Sequence, residues 1–393
     1  MNPTTISSPE CRIFRSITWH VRLPLHKGWP TFTSRHLPRW SCTVAAVRGA
    51  LFRAFNGPIT VEDLPDPAVP RDGVVIEVRA SGLCRSDLFA WHGHDPGLAL
   101  PHVPGHELAG VVAEAGPATA RWSVGDRVTA PFCCGCGRCE QCSAGNEQIC
   151  DNYFQPGFTH WGSFARYCAI SHADTNLAAL PDDLSFEHGS ILGCRMITAY
   201  RALLERARLA AGEWLVVHGC GGLGLCMVMI GTAVGARVVA VDIEEPALRL
   251  ASAMGATATV VADPDDGRAT VGAVREATGG GAHVSVDALG NAEVAANSVR
   301  CLRKQGRHVQ AGLLSARATA LPMATVVAKE LEVLGTKGMS ARQYPALMDL
   351  IAATTDMDLG MLVSRTMALE DLPEAFQTME GFGGSGVAVV TEF

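Results

Sequence analysis

Four cysteines crowd into fifteen residues: Cys136-Gly-Arg-Cys139-Glu-Gln-Cys142 and, seven residues on, Cys150. Thiolates at steps of three, with a fourth returning over a short loop, can converge on one tetrahedral ion, and zinc favours such soft ligands. A site closed by four protein ligands leaves no position for substrate, so the spacing predicts a structural zinc. Regular short spacing of this kind reads as metal binding rather than as a disulfide framework. A second pattern is Gly219-Cys-Gly221-Gly222-Leu-Gly224, which fits both GxGxxG and GxGGxG. It follows an apolar run, Trp214-Leu-Val-Val217, and opens a helical stretch, Leu225–Val234. In that context the first glycine allows a tight turn, the second lets backbone approach a pyrophosphate, and the third lets helix and strand pack closely. Asp242 ends the next apolar run, placed to accept hydrogen bonds from ribose hydroxyls, and neither Ile243 nor Glu244 offers a cation for a 2′-phosphate. The pattern predicts NAD rather than NADP.

A third constellation is scattered: Cys84-Arg85-Ser86-Asp87, Gly105-His106-Glu107 and Gly193-Cys194-Arg195. Two thiolates and one imidazole leave a fourth zinc position open, as catalytic zinc requires. With all three patterns in place, the chain resembles a zinc-dependent medium-chain alcohol dehydrogenase, over roughly Thr43 to Phe393 and with the motifs in family order. The resemblance implies a GroES-like, β-rich catalytic domain plus a Rossmann domain built on a doubly wound parallel sheet. It implies two zinc ions per chain and NAD. Cys84, His106 and Cys194 would bind the catalytic zinc, and Cys136, Cys139, Cys142 and Cys150 the structural one. Glu107 would stand behind the catalytic metal, Ser86 would take the alcohol proton, Asp87 would orient His106, and Arg85 would contact the pyrophosphate. Gly219, Gly221, Gly222, Gly224 and Asp242 would hold the rest of the cofactor. The implied reaction is reversible hydride transfer between an alcohol and its aldehyde or ketone, in a homodimer or homotetramer. Two rivals are a zinc-free quinone or enone reductase, which should lack the zinc ligands, and a non-catalytic NAD-binding protein, which should have lost Ser86, Glu107 or a ligand.

Two positions depart from the family pattern. Phe89 stands where a proton-relaying histidine is common, with His92 nearby, and the last apolar run, Val387-Ala-Val-Val390, lacks a basic residue that helps hold the pyrophosphate. The latter predicts modest cofactor affinity. Phe89, Trp91, Phe132 and Trp161 are candidate pocket walls, and an inward Trp91 would favour slender alcohols. Cys133 and Cys134 fall outside the ligand spacing and read as loop residues.

These side chains need two kinds of support. Ile59-Thr-Val61, Val74–Val78, Leu108–Ala113 and Asp126–Ala130 read as short strands between glycine and proline turns, as in a barrel-like domain. Beyond residue 195, Trp214–Val217, Arg237–Asp242, Thr259–Val261, Val284–Asp287 and Arg307–Gln310 alternate with helical stretches, which predicts a parallel sheet. The expected divisions are an extension at 1–42, a catalytic domain at 43–194, a cofactor domain at 195–330 and a return to the catalytic domain at 331–393. A strand at Val44–Val47 would open the catalytic domain.

The 393 residues are 48% hydrophobic and 18% charged, a globular balance with room for two cores. Net charge is −7, with no basic stripe for nucleic acid. Residues 1–42 carry six basic residues against Glu10 alone, a surplus of +5 that leaves −12 for the rest. Their Arg- and Ser/Thr-rich composition reads as a transit peptide or as translation assigned upstream of the true start. Fourteen cysteines without a secretory segment point to a reducing cytoplasm. The uncharged run Leu215–Ala236 is long enough for a bilayer, but its six glycines make it a buried strand–turn–helix, and no membrane partner is expected.

Overall fold

Short apolar strands separated by tight turns form the first half of the chain, as their alternation predicts. A computed structural model describes residues 47–314, 319–380 and 386–393. The expected extension at 1–42 lies outside them, as does all but the last residue of the strand expected at Val44–Val47. Strand β1 (Val47–Phe52) pairs antiparallel with β2 (Ile59–Leu64) across the Gly57-Pro58 turn. Then come β3 (Val74–Gly82), β4 (Leu108–Ala115), β5 (Arg127–Thr129), β6 (Tyr167–Ile170) and β7 (Ala178–Ala179). Antiparallel pairing of β3 with β4 sets Ser81 opposite Leu108. That register places the segments carrying Cys84 and His106 at the same end of one strand pair.

The second half alternates strand and helix. β8 (Trp214–His218), β9 (Arg237–Asp242), β10 (Ala258–Val261), β11 (Ala282–Asp287), β12 (Leu302–Gln310) and β13 (Glu332–Gly335) form one parallel sheet in the order β10-β9-β8-β11-β12-β13. The order reverses direction between β8 and β11, and a doubly wound sheet binds ligands at such a point. Because β13 pairs with β12, this sheet runs to Gly335 rather than ending at residue 330. The chain then rejoins the first sheet through β14 (Val363–Ala368) and β15 (Val387–Glu392), giving the order β14-β15-β3-β4-β5-β7, with β6 also on β3.

Leu215, Val217, Leu225, Val228 and Ile230 are fully buried in the main core, which accounts for the long uncharged run. No helix among the described residues is long and apolar enough to cross a membrane. Between the two sheets runs a helical stretch from Phe186 to Arg206 that the sequence reading did not resolve. Its start packs on β3 and β4, and its middle packs on the helix Gly222–Ala233. Two stretches of it, Leu192–Met196 and Arg201–Arg206, are π-helical.

Candidate active site

Cys84 caps the helix Arg85–Trp91 just after β3, His106 and Glu107 lie just before β4, and Cys194 sits in the first π-helical turn. Their donor atoms all lie within 4.8 Å of one another, so residues far apart in sequence form one cluster. Widened turns of this kind recur at functional sites. Here the Thr198 hydroxyl donates to the Cys194 carbonyl at 2.7 Å, which supports the turn. Gly105 precedes His106 with φ +101°, and a Cβ there would fall 2.6 Å from the Phe164 nitrogen, so this loop needs glycine.

Asp87, fully buried, organises two of the ligands. Its Oδ1 accepts from His106 Nδ1 at 2.8 Å and from the Gly105 N–H at 3.2 Å, and its Oδ2 accepts from the Cys84 N–H at 2.9 Å. With Nδ1 committed, Nε2 is the free ring nitrogen of His106; it is buried and has no hydrogen-bond partner among the described residues. Glu107 Oε1 is likewise buried and unpartnered. Two orphaned polar atoms beside two thiols fit a cation, because isolated buried polar groups are costly.

Charges reinforce the cluster. A hydrogen bond from Cys194, with Arg195 and His106 nearby, holds the Cys84 thiol well below its ordinary pKa despite burial, while the same bond and burial push Cys194 up. Burial pushes the Glu107 carboxyl up, and the charge of Arg195, its ion-pair partner, opposes that shift and favours the ionised form. Arg195 pairs with Glu107 and also donates to the Leu83 carbonyl. The Ser86 hydroxyl lies 3.8 Å from Cys84 Sγ, at the edge of the cluster.

The Cys136, Cys139, Cys142 and Cys150 sulfurs also lie within 4.8 Å of one another. Backbone N–H groups point at them: Cys136 N to Cys150 Sγ at 3.2 Å, Asn152 N to Cys150 Sγ at 3.2 Å and Cys142 N to Cys139 Sγ at 3.5 Å. The Arg138 N–H lowers Cys136 to about 6, while burial raises Cys142 to about 12. Buried Asn176 clamps Gly135, the residue before this loop, accepting from its N–H at 2.8 Å and donating to its carbonyl at 2.9 Å. Cys133 and Cys134 are buried outside both clusters.

The glycine turn joins β8 to the helix Gly222–Ala233. Gly219 has φ +90°, and a Cβ at Gly224 would fall 1.8 Å from the Gly219 carbonyl, so turn and helix close only on glycine. A Cβ at Gly221 meets nothing within 4 Å, leaving a cradle at the helix N-terminus that suits a phosphate. Asp242 Oδ2 accepts from the Cys220 N–H at 2.6 Å and its Oδ1 from the Glu244 N–H at 3.0 Å, which fixes the carboxylate beside that turn.

The expected pocket walls divide. Phe132 stands edge-on to the His106 ring with centroids 6.2 Å apart. Phe158, absent from the expected set, is closer at 5.4 Å. Trp91 does not narrow this site: its indole donates to the Gly57 carbonyl and packs edge-on against buried Phe376. Trp161 is 39% exposed, donates to the Pro101 carbonyl, and lines a separate cleft with Val47, Leu64 and Tyr167. Phe89 packs against His94, and His92 Nδ1 bonds Asn56 at 2.5 Å. Arg195, Phe158 and Asn176 carry no motif, and only the Cys194-Arg195 adjacency could have drawn attention to the first.

Residues 70–182 match the alcohol dehydrogenase GroES-like domain, and residues 222–353 match the zinc-binding dehydrogenase domain. An alcohol dehydrogenase of Geobacillus stearothermophilus is 34% identical over 269 residues, covering 68% of this chain and 78% of the relative. Among solved structures, an NAD-dependent alcohol dehydrogenase superposes with a TM-score of 0.78 at 30% identity, covering 88% of this chain and all of the other. A zinc-binding dehydrogenase from Sinorhizobium meliloti 1021, bound to NADP, superposes with a TM-score of 0.78 at 26% identity, covering 88% and 99% of the two chains.

Proposed function

The chain belongs to the zinc-dependent alcohol dehydrogenases of the medium-chain superfamily, and we propose that it oxidises an alcohol reversibly to an aldehyde or ketone with NAD and two zinc ions. The observation that carries the site assignment is the buried cluster of Cys84, His106, Glu107 and Cys194, whose donors lie within 4.8 Å and include unpartnered His106 Nε2. Cys84, His106 and Cys194 would hold the catalytic zinc, which when bound supplies a Lewis acid that lowers the pKa of an alcohol hydroxyl. Cys136, Cys139, Cys142 and Cys150 would hold the structural ion.

The chain's own groups have distinct tasks. Ser86 accepts a hydrogen bond from the alcohol hydroxyl and relays its proton onward by releasing its own, on the strength of its place beside Cys84. Asp87 keeps His106 turned toward the thiols. Glu107 stands behind the cluster with its charge balanced by Arg195. Phe132 and Phe158 shield the His106 ring from water. Gly219, Gly221, Gly222 and Gly224 shape the cradle for the pyrophosphate, and Arg85, at the start of its helix, faces the same task. The catalytic segments are 43–194 and the tail after β13. A homodimer or homotetramer is the expected assembly.

Asp242 supports NAD over NADP, because a 2′-phosphate beside a fixed carboxylate meets like charge. Purified protein should contain two zinc ions per chain. It should also turn over an alcohol panel with kcat/KM at least about tenfold higher for NAD, a difference of about 1.4 kcal/mol. Asp242→Gly should narrow that gap. Equal kcat/KM for the two cofactors would refute the assignment of Asp242, and a single zinc per chain would refute one of the two metal sites.

A further inference from the structure

Arg195 touches both halves of this site. Its side chain is only 7% exposed, and on one side it pairs with Glu107 and donates to the Leu83 carbonyl. On the other side it packs against Gly222, the first residue of the twelve-residue helix after the glycine turn. A Cβ there would fall 2.6 Å from Arg195 Nε and 2.8 Å from Cδ. The space that a Cβ at Gly222 would take is thus filled by the Arg195 side chain, whereas Gly221 beside it opens onto free space. An arginine has five N–H donors, and two are used among the described residues, so donors remain for a further acceptor.

The electrostatic need is plain. A pyrophosphate resting at Gly221 would approach the buried carboxylate of Glu107 with like charge, and in a low-dielectric interior that repulsion is strong. A planar cation between the two can face both, since guanidinium geometry matches carboxylate and phosphate. We propose that Arg195 is a cofactor-positioning residue, which holds the pyrophosphate at the glycine turn while pairing with Glu107. In this way it links the metal side of the site to the cofactor side. The inference rests on the dinucleotide reading above.

The test measures equilibrium binding of NADH, ADP-ribose and adenosine, with zinc content and circular dichroism as checks on folding. Arg195→Gln alone strands a buried carboxylate, so the decisive variant is the neutral pair Glu107→Gln/Arg195→Gln. NADH and ADP-ribose should each weaken by about tenfold or more in the pair, as the loss of a charge-assisted contact requires. Adenosine, which has no phosphate, should bind unchanged. Glu107→Gln alone, which removes the like charge and frees the guanidinium, should bind ADP-ribose at least as tightly as the parent does, and Arg195→Lys should recover part of the loss. ADP-ribose binding to the pair as tightly as to the parent would overturn the proposal, as would an equal loss for adenosine, which marks a purely structural role. A parent protein that binds neither NADH nor ADP-ribose would refute the dinucleotide reading itself.

Discussion

The two cysteine clusters solve the same problem in opposite ways. The Cys136–Cys150 loop draws its four thiols from one short segment and supports them with its own backbone N–H groups. The Cys84, His106, Glu107 and Cys194 cluster draws its donors from three separated segments and supports them with buried charges, Asp87 and Arg195. A loop that carries its own partners can be closed and local, which suits a structural ion. A site assembled at the meeting of two sheets depends on the whole fold, and through Arg195 it lies against the glycine turn at Gly222. Each cluster nevertheless leans on a buried polar side chain from outside its cysteines that bonds backbone beside it: Asp87 for the assembled site, Asn176 for the loop.

The sharpest way to break this comparison is to remove one thiol from each cluster. Cys194→Ser should lower kcat/KM by about a thousandfold or more, about 4 kcal/mol of transition-state stabilisation, while the protein keeps one zinc and its fold. Cys142→Ser should also leave one zinc, but its effect should be on stability, with Tm falling by about 10 °C as a folding-linked metal is lost. Metal analysis, steady-state kinetics and thermal melts on both variants give the answer. If Cys142→Ser abolished turnover at low temperature while Tm held, the division into structural and catalytic clusters would fail.

A smaller effect tests the supports. Asp87→Asn keeps size but removes the carboxylate that fixes His106 Nδ1 and the Cys84 N–H. Loss of such an outer partner costs about 10- to 100-fold in metal affinity or activity. Zinc release during dialysis against a chelator should therefore be faster for one of the two ions only. Equal release of both ions would mean that Asp87 serves the general fold rather than the assembled site.

The difference between the clusters also explains what could be read from the chain. The Cys136–Cys150 spacing states its own geometry, and the glycine turn is legible because Gly219 and Gly224 must be glycine on backbone grounds alone. The scattered site was legible only through resemblance. Nothing local in Cys84, His106 or Cys194 predicts that a β3–β4 register and a π-helical turn will bring them together. The role of Arg195 was illegible for a related reason, since its partners Glu107 and Gly222 are distant in sequence. The direction of Trp91 was open because nearness to Cys84 along the chain says little about it, and its helix turns the indole toward Phe376. Strand β13 escaped notice because the mixed Glu332-Val-Leu-Gly335 is exposed along most of its length and lacks a buried strand's apolar run.

The finest test concerns Asn176, the support of the closed loop. Its side chain is buried, accepts from the Gly135 N–H at 2.8 Å, and donates to the carbonyls of Gly135 at 2.9 Å and Ser171 at 3.0 Å. Asn176→Ala would leave these backbone groups without partners, which costs about 1–3 kcal/mol, or a fall in Tm of about 2–10 °C. Asn176→Asp separates hydrogen bonding from simple volume. It keeps an acceptor for the Gly135 N–H but sets a carboxylate oxygen against two carbonyl oxygens, so it should melt lower than Asn176→Ala despite being closer in shape. Both variants should retain cofactor binding and should lose activity only as far as they lose folded protein, because the loop holds no reacting group. Melting curves and single-temperature kinetics on the pair decide the matter. An aspartate variant as stable as the parent would show that the amide donors to Gly135 and Ser171 do not hold the loop in place.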